Sequence, residues 1–180
     1  MEFTEVLQNR RSIRKYTSQP VTQEQIQEII ELSRFAPTWK NSQTAKYYVI
    51  LNQELKNQIA EQGTCDFSKN KLNIQGAPCL VVLATVDGIS GYNTDGSFTT
   101  SKGTHWQSFD AGIACQTFCL TAYEKGLGTL IMGIYDEEKI KTLLNLPENE
   151  SISALIAVGY EESHPNAPKR KELKEIMQIL

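Results

Sequence analysis

The stretch Arg10-Arg11-Ser12-Ile13-Arg14 puts three guanidinium groups and a hydroxyl within five residues, interrupted by one β-branched apolar side chain. Phe3, Val6 and Leu7 precede it at i, i+3, i+4 spacing, so a short helix is expected to feed it. The planar guanidinium fork suits phosphate. If the segment is extended, alternation sends Arg10, Ser12 and Arg14 one way and Arg11 and Ile13 the other. One face then holds an anionic ligand while Ile13 anchors the segment in the core. Against this stands the ordinary reading of a basic run as solvated surface. The rest of the chain has to decide between them.

A chain of 180 residues can bury one sizeable core, and one domain over residues 1–180 is expected. Apolar residues at 40% and charged residues at 22% are ordinary for a globular protein. Eighteen basic against 21 acidic residues give a net charge of −3, which argues against a general nucleic-acid binder. A local basic cluster must then serve something small, or nothing. No apolar run reaches the roughly 18 residues needed to span a bilayer. Met1-Glu2-Phe3-Thr4-Glu5 lacks the basic start and apolar core of a signal peptide. A cytoplasmic protein without membrane contact is expected, and Cys65, Cys79, Cys115 and Cys119, with no CxxC pair, fit reduced thiols. Cys115 and Cys119 at i, i+4 could share a metal with His105. Their run is apolar, however, where cysteine behaves as a small hydrophobe, and no metal is expected.

Beyond the arginines, Thr22 to Gln25 reads as a capping box opening a helix on Ile26, Ile29, Ile30 and Ser33. Pro37 ends it, because helix is disfavoured at the preceding residue. Ala36-Pro37-Thr38-Trp39-Lys40-Asn41-Ser42-Gln43 is a polar loop carrying a tryptophan, leading to a strand at 46–51. Loops held by rigid elements collect binding groups, although a packed Trp39 and an Asn41 capping a turn explain it equally well. Glu54 to Gln62 is a short helix, and residues 63–73 are expected to be irregular. If a helical turn forms there, Asn70 and Asn73 share a face. Residues 78–86 form an apolar, β-branched run, a strand buried on both faces. Residues 87–104, rich in Gly, Ser, Thr and Asn with Tyr92 and Phe98 as their only aromatics, form a surface loop, either disordered or a lid.

The helix expected over Trp106 to Lys125 is apolar nearly all round, and such a helix is buried all round. A subunit interface is the preferred account, and a central helix inside one domain is the alternative. Gly126-Leu127-Gly128 suits a left-handed C-terminal cap. A strand follows at 129–134, with Gly133 placed for close approach to a ligand. A helix over 137–146 and a strand over 152–160 come next. The tail then carries Lys169, Arg170 and Lys171, and closes as a short helix or strand over 172–180.

Arg10 to Tyr16, the loop Ala36 to Gln43, the run Glu124-Lys125-Gly126-Leu127-Gly128-Thr129 and the basic tail after Val158-Gly159-Tyr160 together resemble the flavin-dependent nitroreductase family, in order and over essentially the whole chain. The resemblance implies an α+β fold with a mostly antiparallel central sheet. It also implies an intertwined homodimer that exchanges terminal segments and binds two FMN at its interface. By that likeness Arg10, Arg11 and Ser12, with Lys169 and Arg170, hold the FMN phosphate and ribityl chain, and Arg14 faces the pyrimidine edge. Asn70 and Asn73 reach ring or ribityl oxygens. Pro37, Thr38, Trp39 and Asn41 come from the other subunit, and Leu130, Ile131, Met132 and Gly133 run along the ring. Trp39, Lys40, Tyr92 and Phe98 are the substrate-facing candidates, with loop 87–104 as the pocket roof. No protein nucleophile or acid–base pair is needed, because the hydride chemistry belongs to the flavin.

The expected function is an FMN-dependent NAD(P)H oxidoreductase that reduces nitroaromatics, quinones or similar flat acceptors by ping-pong turnover. The alternatives are a same-fold flavin enzyme of another type (enoate reduction, reductive dehalogenation, ring dehydrogenation), a flavin-binding protein without turnover, and a non-flavin interaction module. The chain lacks the extra interfacial helix of longer family members, and Asn73 stands where some relatives carry lysine. NADH against NADPH stays open, since no GxGxxG fingerprint is present.

Overall fold

The computed structural model describes residues 1–180. Its centre is the apolar run foreseen at 78–86, strand β2 (Cys79–Val86), buried at all but its last residue. β2 pairs antiparallel with β1 (Ala45–Ile50) on one side and with β4 (Glu150–Gly159) on the other. β3 (Gly128–Met132) pairs antiparallel with β4 and closes the sheet in the order β1-β2-β4-β3. The helices are α1 (Phe3–Asn9), α2 (Gln23–Ser33), α3 (Gln53–Gln62), α4 (Ser68–Gly76), α5 (His105–Glu124), α6 (Glu137–Leu144) and α7 (Leu173–Ile176). The fold is α+β, as the resemblance implied.

Alternation along the strands sorts their side chains into two layers. Val81, Leu83, Ile156 and Val158 face α5 and α2, meeting Phe118, Cys119, Ile26 and Ile29. Leu80, Val82, Leu155 and Ala157 face the other way, onto Ile59, Ile74 and Ile140. The Thr22 cap forms as the spacing required: its hydroxyl accepts from Gln25 N, and the Gln25 side chain returns to Thr22 N. Residues 63–73 depart from the expectation. They contain the start of α4, which carries Ile74 into the core. Its one apolar anchor per two turns is too sparse to read as a period, so packing decided this helix rather than pattern.

Beyond α1 the chain extends, and Ile13 N donates to Thr129 O at 2.9 Å while Ser12 and Thr129 form a parallel bridge. The basic segment thus lies along the edge of β3. Ile13 is 2% exposed, a burial worth about 2 kcal/mol. Gly128 makes this possible, because a Cβ there would sit 2.5 Å from Ile13 Cγ1. Tyr16 fastens the far end, its hydroxyl 2.7 Å from Ile13 O and 3.2 Å from Ala157 O. Burial raises the phenol's pKa well above its ordinary value, so it stays a protonated donor.

α5 is not a central helix. Ala111, Cys115, Phe118 and Ala122 face the sheet, while Phe109 is 58% exposed and Gly112 and Gln116 are open on the far side. Gly126, at φ +81°, turns the chain out of this helix as foreseen.

Gly128→Ala is expected to cost about 2 kcal/mol by overpacking against Ile13, read as a lowered denaturant midpoint. The same substitution at Gly112, where a Cβ meets nothing within 4 Å, should leave the stability of the isolated chain unchanged or raised.

Candidate functional site

A cavity of about 620 Å³ opens between α4, β3 and the basic segment. β3 supplies one wall, with Leu130, Ile131 and Met132, and the chain continues through Gly133 and Ile134. α4 supplies the other, with Lys69, Asn70, Leu72 and Asn73, and Phe67 stands just before it. Arg14 and Lys15 complete the rim. Asn70 and Asn73 do share the pocket side of a helix, although the helix itself was not foreseen. Asn70 is 6% exposed, and its Nδ2 donates to Ile134 O at 2.9 Å, tying α4 to the turn after β3. A Cβ at Gly133 would enter open space, so backbone lies bare at that point of the wall.

The arginines divide their work. Arg14 lines the cavity while its Nη1 donates back to Ser12 O at 3.3 Å. Arg11 turns away and donates through Nη1 to Gln8 O at 2.6 Å and to Arg10 O at 3.0 Å, satisfying carbonyls at the end of α1. Its Nε is buried without a protein partner. Arg10, Arg11 and Ser12 adjoin the cavity along the chain but are not among its lining residues.

A second polar constellation stands at the start of α5. Asp110, 3% exposed, accepts from Trp39 N at 2.9 Å and from Ser90 Oγ at 2.6 Å, both through Oδ2. Ser90 lies 3.1 Å from Ser42 Oγ, so one buried carboxylate joins the loops 36–43 and 87–104. Within the first loop, Thr38 Oγ1 accepts from Gln43 N at 3.0 Å, and Lys40, Asn41 and Gln43 all hold left-handed φ (46°, 56° and 50°). Each such residue costs on the order of 1 kcal/mol, and the surrounding bonds offset it. Trp39 packs on Trp106 with ring centroids 4.8 Å apart, and Lys40 Nζ lies 5.6 Å over the Trp39 ring. Sequence reading passed over Asp110. The available signal was a lone carboxylate in an apolar helix, which must find donors if buried.

Loop 87–104 is built of turns rather than disordered: Thr99 N donates to Gly91 O and Trp106 Nε1 to Thr100 Oγ1, with Tyr92 and Phe98 paired at 5.0 Å. It packs on Trp106, and none of its residues lines the cavity beside β3, so within one chain it is not that cavity's roof. Pro37, Thr38, Trp39, Lys40 and Asn41 do not line it either. Lys169 and Arg170 sit on an exposed tail, outside the lining as well. These groups are carried beside Trp106 at the start of α5 and on the tail beyond the last strand. The cysteines are all unpaired, and burial pushes the Cys79 thiol up to about 12, leaving it a poor nucleophile. No cluster of three or more candidate ligands forms for a metal, and no helix is long and apolar enough to cross a membrane.

The profile described as the nitroreductase family matches residues 7–160. The NADPH-flavin oxidoreductase of Vibrio harveyi is 28% identical over 163 residues, covering 89% of this chain and 66% of that protein. An iodotyrosine deiodinase of Nematostella vectensis is 26% identical over 202 residues, covering 99% of this chain and 75% of that one. A crystal structure of a nitroreductase family protein from Clostridium novyi superposes with a TM-score of 0.78 at 27% identity, covering 93% of this chain and 89% of that one.

Asp110→Ala leaves the Trp39 amide and the Ser90 hydroxyl without their acceptor. The expected loss is about 2 kcal/mol, with tryptophan emission more readily quenched by acrylamide. Asp110→Asn keeps an acceptor oxygen and should lose less on both measures.

Proposed function

The chain belongs to the nitroreductase family, and we propose that it is a homodimeric, FMN-dependent NAD(P)H oxidoreductase acting on nitroaromatics, quinones or similar flat acceptors. The observation that carries this reading is the cavity beside β3: an apolar strand along one wall, two amides on the other, and an arginine at the rim. Its residue types fit the cofactor, for a flat ring suits the strip Leu130–Met132 and Asn70 and Asn73 suit polar ring or ribityl atoms. FMN held there would supply the hydride chemistry between NAD(P)H and the acceptor.

The chain's own part is position and charge. Arg14, at the cavity rim, would set a cation against the pyrimidine edge, where a reduced flavin carries its negative charge, and so favour reduction. Arg10 and Ser12 present a guanidinium and a hydroxyl to the phosphate on the segment that Ile13 anchors, while Arg11 is held at the end of α1 by Gln8 O and Arg10 O. Pro37, Thr38, Trp39 and Asn41, with Lys169 and Arg170, reach the site from a second copy, in keeping with their absence from the lining of their own chain's cavity. Trp39 and Lys40, with Tyr92 and Phe98 behind them, then shape the acceptor side. The open face of α5 supports the pairing: Ser108, Gly112 and Gln116 line a groove of about 480 Å³ that includes Ile131, a residue lining the flavin cavity too, and Phe109 is exposed on the same helix. Leu173, Ile176, Met177, Ile179 and Leu180 leave the tail apolar and exposed, as a strap over a partner would be. Donor and acceptor use one pocket in turn, giving ping-pong kinetics in a cytoplasmic enzyme of one domain per chain.

The deiodinase likeness favours one other reading, reductive removal of a halogen from an aromatic ring at the same pocket. Anaerobic NADPH or NADH should bleach the 450 nm band of the flavin protein, and a nitroaromatic or quinone should restore it. Recovery with a halogenated phenol alone would move the assignment to dehalogenation. Trp39→Ala should change the ratio of rates with nitroaromatic and quinone severalfold while the FMN dissociation constant moves less, and an unchanged acceptor ratio would contradict the placing of Trp39.

A further inference from the structure

We propose that Lys15 and Lys69 make this pocket select the phosphate-bearing donor NADPH over NADH. The inference rests on the reading of the cavity as a flavin site and deepens it. Arg14, Lys15 and Lys69 line the cavity and no carboxylate does. None of the three is in an ion pair. Acidic residues are plentiful, 21 against 18 basic, and the rim is nonetheless free of them. Three uncompensated cations around one opening repel each other, a cost that an anionic ligand removes.

Arg14 has a task at the flavin edge. Lys15 and Lys69 have none there. They come from two elements, the segment after the arginines and the first turn of α4, and both are exposed. A lysine is a mobile point charge on a flexible stem, suited to a phosphate that arrives and leaves with each turnover rather than to a planar, fixed partner. With the flavin against the strip Leu130–Met132 and the nicotinamide stacked on the ring's open face, the adenosine half of the dinucleotide lies toward the mouth. There the 2′-phosphate of NADPH adds a charge of about −1.5 to −2 that NADH lacks. An exposed pair of this kind changes affinity about two- to fivefold, so two lysines together give a preference of about tenfold. Salt should shrink it, since the charges are open to solvent.

The test uses the full-length, FMN-loaded protein and two readouts. One is the efficiency of anaerobic flavin reduction by NADPH and by NADH at low and high salt. The other is the calorimetric dissociation constant of NADP⁺ and of NAD⁺. Expected are a preference of about tenfold for the phosphorylated form in both, its decline in high salt, and at least a twofold loss of the ratio in Lys15→Ala and in Lys69→Ala. The double variant should bring the ratio near one, and Lys69→Glu should push it below. Equal efficiencies in the unaltered protein, or a preference that survives the double substitution, would overturn the proposal. A flavin that neither donor bleaches would contradict the oxidoreductase reading instead, and the NADP⁺ and NAD⁺ constants would still decide the role of the lysines.

Discussion

The contact of Ile13 with Gly128 governs the candidate site. A β-branched side chain fills the space that any larger residue would take, and this lets a segment with three arginines lie along the edge of β3 instead of floating in solvent. One backbone bond, Ile13 N to Thr129 O, and the Tyr16 hydroxyl fix its two ends. A cationic run would otherwise avoid such an edge, and about 2 kcal/mol of apolar burial is the force that holds it. In the proposed site, phosphate binding and core packing are coupled within five residues, 10–14.

The same economy operates at α5. Its inner face completes one core layer with Phe118 and Cys119, and its first turns carry Asp110, which holds the strained loop of Lys40, Asn41 and Gln43 in place. Its outer face offers Phe109 and Gly112 to solvent in the single chain. The groove beside it, lined by Gly112 and Gln116, shares Ile131 with the cavity at β3. In the arrangement proposed, subunit pairing and cofactor binding are one event.

Much of this was legible in the residues. The double-sided burial of β2 follows from an unbroken β-branched run, the Thr22 cap from hydroxyl and amide at the right spacing, and the exit of α5 from Gly126. Other features were not legible. α4 has almost no apolar period and exists because Ile74 and Asn70 are held by neighbours distant in sequence. Arg11 reads like Arg10 in the sequence, yet it caps α1, a choice made by the local turn. The order within loop 87–104 depends on Trp106 and Asp110, which only the fold brings beneath it. Side chains whose partners are distant in sequence leave no local pattern.

Sedimentation velocity of the purified protein, followed at 280 and 450 nm together, bears most directly on the coupling of pairing and cofactor. The account predicts a single boundary at twice the 20.3 kDa chain mass, carrying the yellow absorbance at one flavin per chain. A flavin boundary moving with the single-chain mass, or a colourless dimer that takes up no added FMN, would contradict it.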